Sequence, residues 1–127
     1  MPERPALVRE HIEVRRIYDT DVEAGYRILV DRLWPRGVRK EDAHLDEWLK
    51  EVAPSAELRR WYGHDPRRFD EFAQRYEAEL GRPQAADALR RVHDLARSRR
   101  VTLLTATRDV ARSGAAVLRD HLVSGAG

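Results

Sequence analysis

The run Val101-Thr102-Leu103-Leu104-Thr105-Ala106 constrains the fold more than any other segment of the chain. It is short, rich in β-branched residues and almost wholly apolar, which is the pattern of a strand that is covered on both faces. Such strands occur in parallel sheets, because the helices that connect parallel strands pack against both faces of the sheet. The sequence therefore predicts an α/β domain built around a parallel sheet.

A second strand is predicted at 26–31, where side chains alternate with the period of two that a strand requires. A weaker first strand is indicated by Ile12, Val14, Ile17 and Tyr18. The turn between these two strands is too short for a crossover of about a dozen residues, so we expect them to pair antiparallel. The strands at 26–31 and 101–106 should instead lie parallel, joined by a right-handed helical crossover.

Five helices are predicted from apolar residues at helical spacing and from capping signals such as Ser55 and Asp65-Pro66. They run from Asp42 to Val52, Ser55 to Gly63, Asp65 to Gly81, Pro83 to Arg100, and Ser113 to Leu122. The predicted fold class is therefore α/β: a small, mainly parallel sheet of about three strands covered by about five helices in layers.

The length of the chain fits one domain, because 127 residues are too few to bury two separate cores. Hydrophobic residues make up 42% of the chain, which is enough apolar material to form one core. We place this single domain at 11–123, between a flexible N-terminus at 1–10 and a flexible, small-residue tail at 124–127.

The charge pattern disfavours nucleic acid as a partner. Lys and Arg number 24 against 22 Asp and Glu, a net charge of +2, and the pI of about 9.3 overstates the basic character because most cations are Arg. Arginine pairs such as Arg59-Arg60 and Arg67-Arg68 are interleaved with acids. They do not form the basic stripe that phosphate-backbone binding requires.

Cysteine is absent, which excludes disulfides, thiolate metal sites, iron–sulfur clusters and cysteine nucleophiles. The first residues lack the apolar region of a signal peptide, and no window approaches the roughly 20 apolar residues of a membrane span. The sequence therefore predicts a cytoplasmic protein without a membrane partner.

The most promising functional surface lies beyond the predicted strands. In open α/β sheets the ligand crevice lies outside the carboxyl ends of the strands, so the loops 31–37 and 105–109 should meet there. These loops combine an acid, guanidinium groups, an indole and a Pro-Arg-Gly turn, which suits an anionic or planar ligand. The candidate ligand-binding residues are Arg32, Trp34, Arg36, Gly37, Thr105, Arg108 and Asp109, with Asp31 as an orienting group or base.

These residues also fit structural roles. Trp34 has the character of a core residue, and Asp31 could stiffen the turn by pairing with Arg32 or Arg36.

The segment 105–114 runs from strand through loop to helix, as in the phosphate loops of cysteine phosphatases and sulfurtransferases. Without cysteine that chemistry is excluded, and binding of phosphate or carboxylate at the helix start is what remains. The sequence identifies no cofactor.

Two further patterns of polar residues have structural explanations beside the functional ones. Asp42, His44 and Asp46 alternate like metal ligands, but on the predicted helix positions two apart point in opposite directions, so we expect no metal site. His64 lies at a predicted corner between helices and is a candidate functional histidine, although packing on aromatic rings is the commoner case. The aromatic residues at helical spacing are predicted core: Trp48, Trp61, Tyr62, Phe69, Phe72 and Tyr76.

Several segments together match a known pattern. They are 25–37, Asp46-Glu47-Trp48, Ala53-Pro54-Ser55, Glu57-Leu58-Arg59, Phe72, Tyr76, Glu79-Leu80 and the strand at 101–105. With these segments the chain resembles the YeaO-like family, bacterial domain-of-unknown-function family 488, from about 14 to 122. The resemblance implies a fold and a motif but no activity. Lys40 also fits the family pattern and joins the candidate ligand-binding residues.

One departure from the family pattern bears on function. Members usually show an Asn-His pair at the start of the final helix, where this chain has Ser113-Gly114. The resemblance therefore implies either a degenerate site or a site whose essential parts lie in the loop 31–37 and at Arg108 and Asp109.

Three functional hypotheses follow, and the sequence leaves open whether the protein is an enzyme. The first is a site at the strand ends for a small anionic ligand, either a metabolite or a nucleotide. The second is a non-enzymatic regulatory module that binds nucleic acid or protein through its arginine-rich helices. The third is a structural homodimer anchored by Trp34. We favour the first.

Overall fold

The computed structural model describes residues 11–19 and 25–124. The predicted flexible N-terminus, 1–10, and residues 125–127 of the predicted tail 124–127 lie outside the described residues, while Ser124 is the last residue of a helix. The strands are β1 (Ile12–Arg16), β2 (Tyr26–Leu29), β3 (Glu47–Trp48) and β4 (Val101–Thr105). The helices are α1 (Lys40–Ala43), α2 (Ala56–Tyr62), α3 (Phe69–Leu80), α4 (Pro83–Ser98) and α5 (Gly114–Ser124), with 3-10 turns at Lys50–Val52, Pro66–Arg68 and Val110–Arg112.

The four described strands form one sheet in the order β1-β4-β2-β3, and every pair is parallel. The central strand β4 aligns Val101 with Ile12 on one side and with Tyr26 on the other. All five residues of β4 are buried, as its composition predicts. The α/β class and the parallel pairing of β2 with β4 are thereby confirmed, and β3 brings the strand count to four.

The predicted antiparallel pairing of the first two strands is wrong. β1 and β2 do not pair with each other, because β4 lies between them and runs parallel to both. Nine residues, 17–25, separate the two strands in the chain, and nine residues can span about 30 Å. That reach suffices to lead from the end of β1 back to the start of β2, so the short connection did not require a hairpin.

The predicted helix over 42–52 is also wrong, because residues 47–48 of this segment pair with β2 at the edge of the sheet. α1 ends at His44, which adopts the left-handed conformation with φ 51°. Beyond it, the backbone amide of Asp46 donates to the carbonyl of Arg27 at 2.9 Å, and the amide of Arg27 donates to the Asp46 carboxylate at 2.8 Å. Pairing with β2 thus outweighs the helical propensity of the segment.

The capping signals of the other helices are confirmed. The Ser55 hydroxyl accepts from the Leu58 amide at 3.1 Å at the start of α2, and Gly63 ends that helix with φ 53°. Asp65 caps the 3-10 turn that leads into α3. Ser113 precedes α5 and accepts from the Ala116 amide at 3.1 Å. These local interactions fix the ends of the helices that surround the carboxyl edge of the sheet.

The two faces of the sheet are covered differently. One face packs against α2 to α5 in the main core, where Phe72 and Tyr76 are among the largest fully buried side chains. The other face carries a smaller cluster, in which Leu29 and Leu104 pack under Trp34, Trp48 and neighbouring residues of the segment 34–48. Of the predicted core aromatics, Trp48, Trp61 and Phe69 are only half-buried.

Among the helices that the structure describes, none combines the length and apolar character needed to cross a membrane.

Candidate functional site

A cleft of about 710 Å³ opens beside the carboxyl ends of β2 and β4. It is bounded by the loop after β2, the end of α2, and the segment that leads from β4 into α5. Its lining residues are Tyr18, Val30, Asp31, Arg32, Leu33, Trp34, Pro35, Arg36, Pro54, Arg59, Arg60, Tyr62, His64, Phe72, Ala106, Thr107, Ser113 and Gly114. The cleft lies where the topology of a parallel sheet places ligand crevices.

Asp31 links the two strands that open onto the cleft. The Thr105 hydroxyl donates to its Oδ1 at 2.8 Å, and the Ala106 amide donates to its Oδ2 at 2.7 Å. Burial raises the pKa of the Asp31 carboxyl, while these two hydrogen bonds and the charges of Arg59 and His64 oppose that rise. With both oxygens engaged, the carboxylate is arranged to hold the end of β2 against the end of β4.

Arg32 connects the loop after β2 to residues 53–54 on another side of the cleft. Its Nε donates to the Pro54 carbonyl at 3.0 Å, and its Nη2 donates to the Ala53 carbonyl at 3.4 Å. Neither Arg32 nor Arg36 forms a salt bridge with Asp31, so the ion pair considered from the sequence is not present. Because neutral carbonyls accept from Arg32, its positive charge remains uncompensated at the cleft.

Arg36, Arg59 and Arg60 supply exposed positive charge to the cleft. Their guanidinium groups make no hydrogen bond or salt bridge to any residue within 11–19 or 25–124. Among the described lining residues, four are arginines and Asp31 is the only carboxylate. The electrostatic character of this cleft therefore favours an anion.

Aromatic and apolar side chains line the same cleft. Trp34 is half-buried: its Nε1 donates to the Val38 carbonyl at 2.7 Å, and its ring meets Trp48 edge-on at 5.3 Å. Leu33 is 60% exposed and Tyr18 is 37% exposed. Trp34 thus joins the smaller core cluster while it also walls the cleft, which combines the two roles expected from the sequence.

Tyr18 connects the end of β1 to the loop after β2. Its hydroxyl donates to the Arg36 carbonyl at 2.9 Å. The guanidinium of Arg16 lies 4.5 Å from the centre of the Tyr18 ring. These contacts hold the Tyr18 ring at the cleft.

His64 occupies an uncommon backbone conformation at the end of α2. Gly63 and His64 are consecutive left-handed residues, with φ of 53° and 57°. For a residue other than glycine this conformation costs about 1 kcal/mol, and the cost is tolerated where the surrounding structure enforces it. The turn places the imidazole at the cleft, with its ring centre 6.1 Å from that of Tyr62.

Ser113 and Gly114 line the cleft at the start of α5. The Ser113 hydroxyl donates to the Val110 carbonyl at 2.6 Å, and its oxygen accepts from the Ala116 amide, which caps the helix. A Cβ added to Gly114 would lie 3.1 Å from Cγ of Pro54. The positions at which this chain departs from the YeaO-like pattern therefore belong to the wall of the cleft.

The structure brings only some of the sequence-predicted residues into the cleft. Asp31, Arg32, Trp34 and Arg36 line it. The remaining candidates contribute no lining atoms: Gly37, Lys40, Thr105, Arg108 and Asp109.

These remaining candidates have other environments. Thr105 is buried and reaches the cleft through its bond to Asp31. Asp109 pairs with Arg112 at 3.0 Å, and Arg108 and Lys40 are exposed. Gly37 provides a turn with φ 79° beside Arg36.

Sequence reasoning missed the contribution of α2. Arg59, Arg60 and Tyr62 line the cleft, but the sequence placed the arginines on a general helical surface and the tyrosine in the core. One available signal was the corner at His64, since two arginines and two aromatic residues lie within the five residues before it. Asp42, His44 and Asp46 lie away from the cleft, and no metal-binding group of three acids or histidines occurs in the described part of the chain.

The fold and cleft define a layered α/β protein with a cationic site at the carboxyl edge of a parallel sheet. The chain belongs to the family described as "Inactive DUF488-N3 subclade", whose profile matches residues 11–125. It is 41% identical over 115 residues to the uncharacterized protein YeaO of Escherichia coli, which covers 90% of this chain and 98% of that protein. The resemblance to the YeaO-like family is therefore confirmed.

A second relative is more similar in sequence. An uncharacterized protein of Mycobacterium tuberculosis is 54% identical over 118 residues, covering 91% of this chain and 98% of that protein. An uncharacterized protein of Mycobacterium bovis shows the same identity and coverage. No solved structure matches the chain significantly.

Proposed function

We propose that the cleft binds a small anionic ligand, such as a phosphorylated metabolite or a nucleotide. The observation that carries this proposal is that Arg36, Arg59 and Arg60 lie exposed in one cleft and that their guanidinium groups have no hydrogen-bond or salt-bridge partner among residues 11–19 and 25–124. A guanidinium group donates two parallel hydrogen bonds to phosphate or carboxylate, and its charge does not depend on pH in the physiological range. Three such groups around one space form a receptor for an anion.

The dimensions of the cleft support a small-molecule ligand. Its volume of about 710 Å³ lies within the roughly 300–1,000 Å³ typical of ligand pockets. Arg32 contributes a further cation that is already fixed by its bonds to Pro54 and Ala53. A fixed donor loses little conformational entropy when the ligand arrives.

The geometry favours binding over catalysis. Both oxygens of Asp31 accept internal hydrogen bonds, and the Ser113 hydroxyl caps α5. The Ser113 hydroxyl proton is therefore already donated within the protein, and Asp31 already has a structural role in joining the two strands. The description of the family as inactive agrees with this interpretation.

The alternative of a dimer anchored by Trp34 receives less support from the geometry. The indole is half-buried against Trp48, and its N–H is already bonded to Val38. An interface anchor usually presents a large side chain that is buried only on association.

A thermal-shift screen tests anion binding. Inorganic phosphate, citrate and phosphorylated metabolites should include compounds that raise the Tm by several degrees, since a ligand at 100 times its Kd adds about 2.7 kcal/mol. Arg36→Ala should remove most of that shift. Arg97→Ala, on the exposed last turn of α4, removes the same charge elsewhere and should preserve it. If every stabilising compound acts equally on Arg36→Ala, the proposal fails.

A further inference from the structure

We infer that the ligand is an aromatic anion: a planar ring system that carries a phosphate or carboxylate group, as 5′-nucleoside monophosphates do. This inference rests on the proposed anion binding and adds a second recognition element to the same cleft. The added element is an apolar, ring-lined surface next to the unpaired guanidinium groups.

The volume of the cleft argues for a ligand larger than a bare anion. Inorganic phosphate has only a few times the volume of a water molecule, which occupies about 30 Å³ in the liquid. It would leave most of the approximately 710 Å³ unfilled. The cleft therefore has room for a ligand with a body beside its anionic group, and the lining residues indicate the chemistry of that body.

The exposed apolar residues indicate that this body is itself apolar. Leu33 and Tyr18 are the exposed large hydrophobic residues in the described part of the chain, and both line the cleft. Exposed apolar side chains scattered singly over a surface carry little meaning, but their concentration at one concave site marks a binding surface. A purely polar anion, such as a sugar phosphate, would leave Leu33 and Tyr18 in contact with water.

The ring content of the cleft indicates that the body is planar. Tyr18, Trp34 and His64 contribute exposed or half-buried rings to the lining, whereas Tyr62 is buried and its ring stacks on Phe72 at 4.2 Å. Aromatic side chains bind planar rings by stacking or edge-on contact. Guanidinium groups also stack on planar rings in addition to binding anions. The same lining can therefore recognise both parts of an aromatic anion.

Calorimetric titration of a fragment series tests this inference. The panel contains the four common 5′-ribonucleoside monophosphates, phenyl phosphate, ribose 5-phosphate and the parent nucleosides. At least one aromatic monophosphate should bind about tenfold or more tightly than both ribose 5-phosphate and its own nucleoside, since stacking of one ring contributes roughly that factor.

The contrary outcomes separate the two proposals. If ribose 5-phosphate binds as tightly as every aromatic monophosphate, the aromatic inference is overturned while anion binding stands. If nucleosides bind as tightly as their monophosphates, or if nothing in the panel binds at millimolar concentration, anion binding falls together with the inference.

Two variants assign the recognition elements to residues. Leu33→Ser alters an exposed side chain and should weaken the aromatic monophosphate severalfold while leaving ribose 5-phosphate unchanged. Arg59→Gln should weaken both compounds by about tenfold, whereas Arg97→Gln, the charge-matched control, should weaken neither. An equal effect of Leu33→Ser on both compounds would overturn the aromatic inference.

Discussion

The strand-end cleft gathers arginines without an acid partner in the described part of the chain, whereas several arginines of the outer helical surface form ion pairs. On the helical surface Arg75 pairs with Glu71, Arg90 with Asp87 at 3.2 Å, and Arg91 with Glu47. In the cleft Arg36, Arg59 and Arg60 have no such partner among the described residues. The sequence shows arginine and acid intermixed throughout, and the fold brings into one cleft three arginines without an acid partner in 11–19 or 25–124.

This difference has an energetic meaning. Exposed ion pairs contribute roughly 0–1 kcal/mol each and serve solubility and local order. Like charges held around a concave site repel one another, and burial of part of the site reduces the screening of that repulsion. An arrangement that slightly disfavours the empty fold but matches an anion is typical of a binding site. The comparison between the two regions can be tested through matched substitutions.

The largest difference in stability is expected between two aspartates. Asp31→Ala leaves the Thr105 hydroxyl and the Ala106 amide without their acceptor, and such losses cost about 1–3 kcal/mol each. We therefore expect Asp31→Ala to reduce the free energy of unfolding by about 2–4 kcal/mol. Asp87→Ala removes an almost fully exposed carboxylate and should change it by less than about 0.5 kcal/mol.

Urea denaturation followed by tryptophan fluorescence measures both values. Equal losses of stability in the two variants would show that Asp31 does not hold β2 against β4. The aspartate of the cleft would then contribute no more to stability than the aspartate of the helical surface.

The next effect concerns ligand binding and distinguishes the sequence-based from the structure-based candidates. Arg36 lines the cleft, whereas Arg108 is exposed outside it. For any anion that stabilises the protein, Arg36→Ala should raise the Kd about tenfold, and Arg108→Ala should change it less than twofold. Titration calorimetry gives both constants. A larger effect from Arg108→Ala would move the binding site toward the start of α5.

A smaller effect is a difference in the sign of the pH dependence. The hydrogen bond from Arg91 lowers the pKa of Glu47, so its stabilisation is present above the unfolded pKa of about 4.3 and is lost as the pH falls through the folded value. Burial raises the pKa of Asp31. Its contribution therefore grows as the pH falls through that raised value toward the ordinary value of about 3.9.

Carboxyl carbon chemical shifts, followed by NMR between pH 2 and 8, should show Asp31 titrating above an ordinary aspartate and Glu47 below an ordinary glutamate. In urea denaturation, the deficit of Glu47→Gln relative to the parent should shrink in acid, and that of Asp31→Asn should grow. If the pKa values of Asp31 and Glu47 shifted in the same direction, the cleft and the helical surface would not differ in their pH dependence.

The smallest expected effects are opposite changes from two conservative substitutions. Arg59→Gln should stabilise the ligand-free protein by a few tenths of a kcal/mol, because it relieves repulsion in the cleft. Arg75→Gln breaks the pair with Glu71 and the contact with Trp61, whose ring centre lies 4.3 Å from the guanidinium carbon. It should destabilise by about 0.3–1 kcal/mol. Replicate chemical denaturation measures whether the free energy of unfolding rises in Arg59→Gln and falls in Arg75→Gln.

Local signals predicted the parts of the fold that depend on neighbouring residues. Ser55 and Asp65 cap where their side-chain chemistry indicates, and the apolar strand ending at Thr105 lies at the buried centre of the sheet. The loop that begins at Asp31 reaches the cleft because parallel strands bring their carboxyl ends to one edge. These features could be predicted because each depends on the order of elements along the chain or on contacts between residues close in sequence.

Long-range pairing accounts for the parts that the sequence did not predict. The direction of β1 depends on β4, which lies about 90 residues away in the chain. The segment after His44 became a strand because β2 offered an edge to it. The arginines of α2 face the cleft because of how the helix packs on the sheet, and helical periodicity does not contain that information. The cytoplasmic location remains a prediction.

The close approach of Gly114 to Pro54 couples the start of α5 to an arginine of the cleft. A side chain introduced at 114 would press on the Pro54 ring, and the Pro54 carbonyl holds the Arg32 guanidinium. A side chain at 114 would therefore require the Pro54 ring to shift by a few tenths of an ångström. Through the Pro54 carbonyl, that shift would be transmitted to the guanidinium of Arg32 at the cleft.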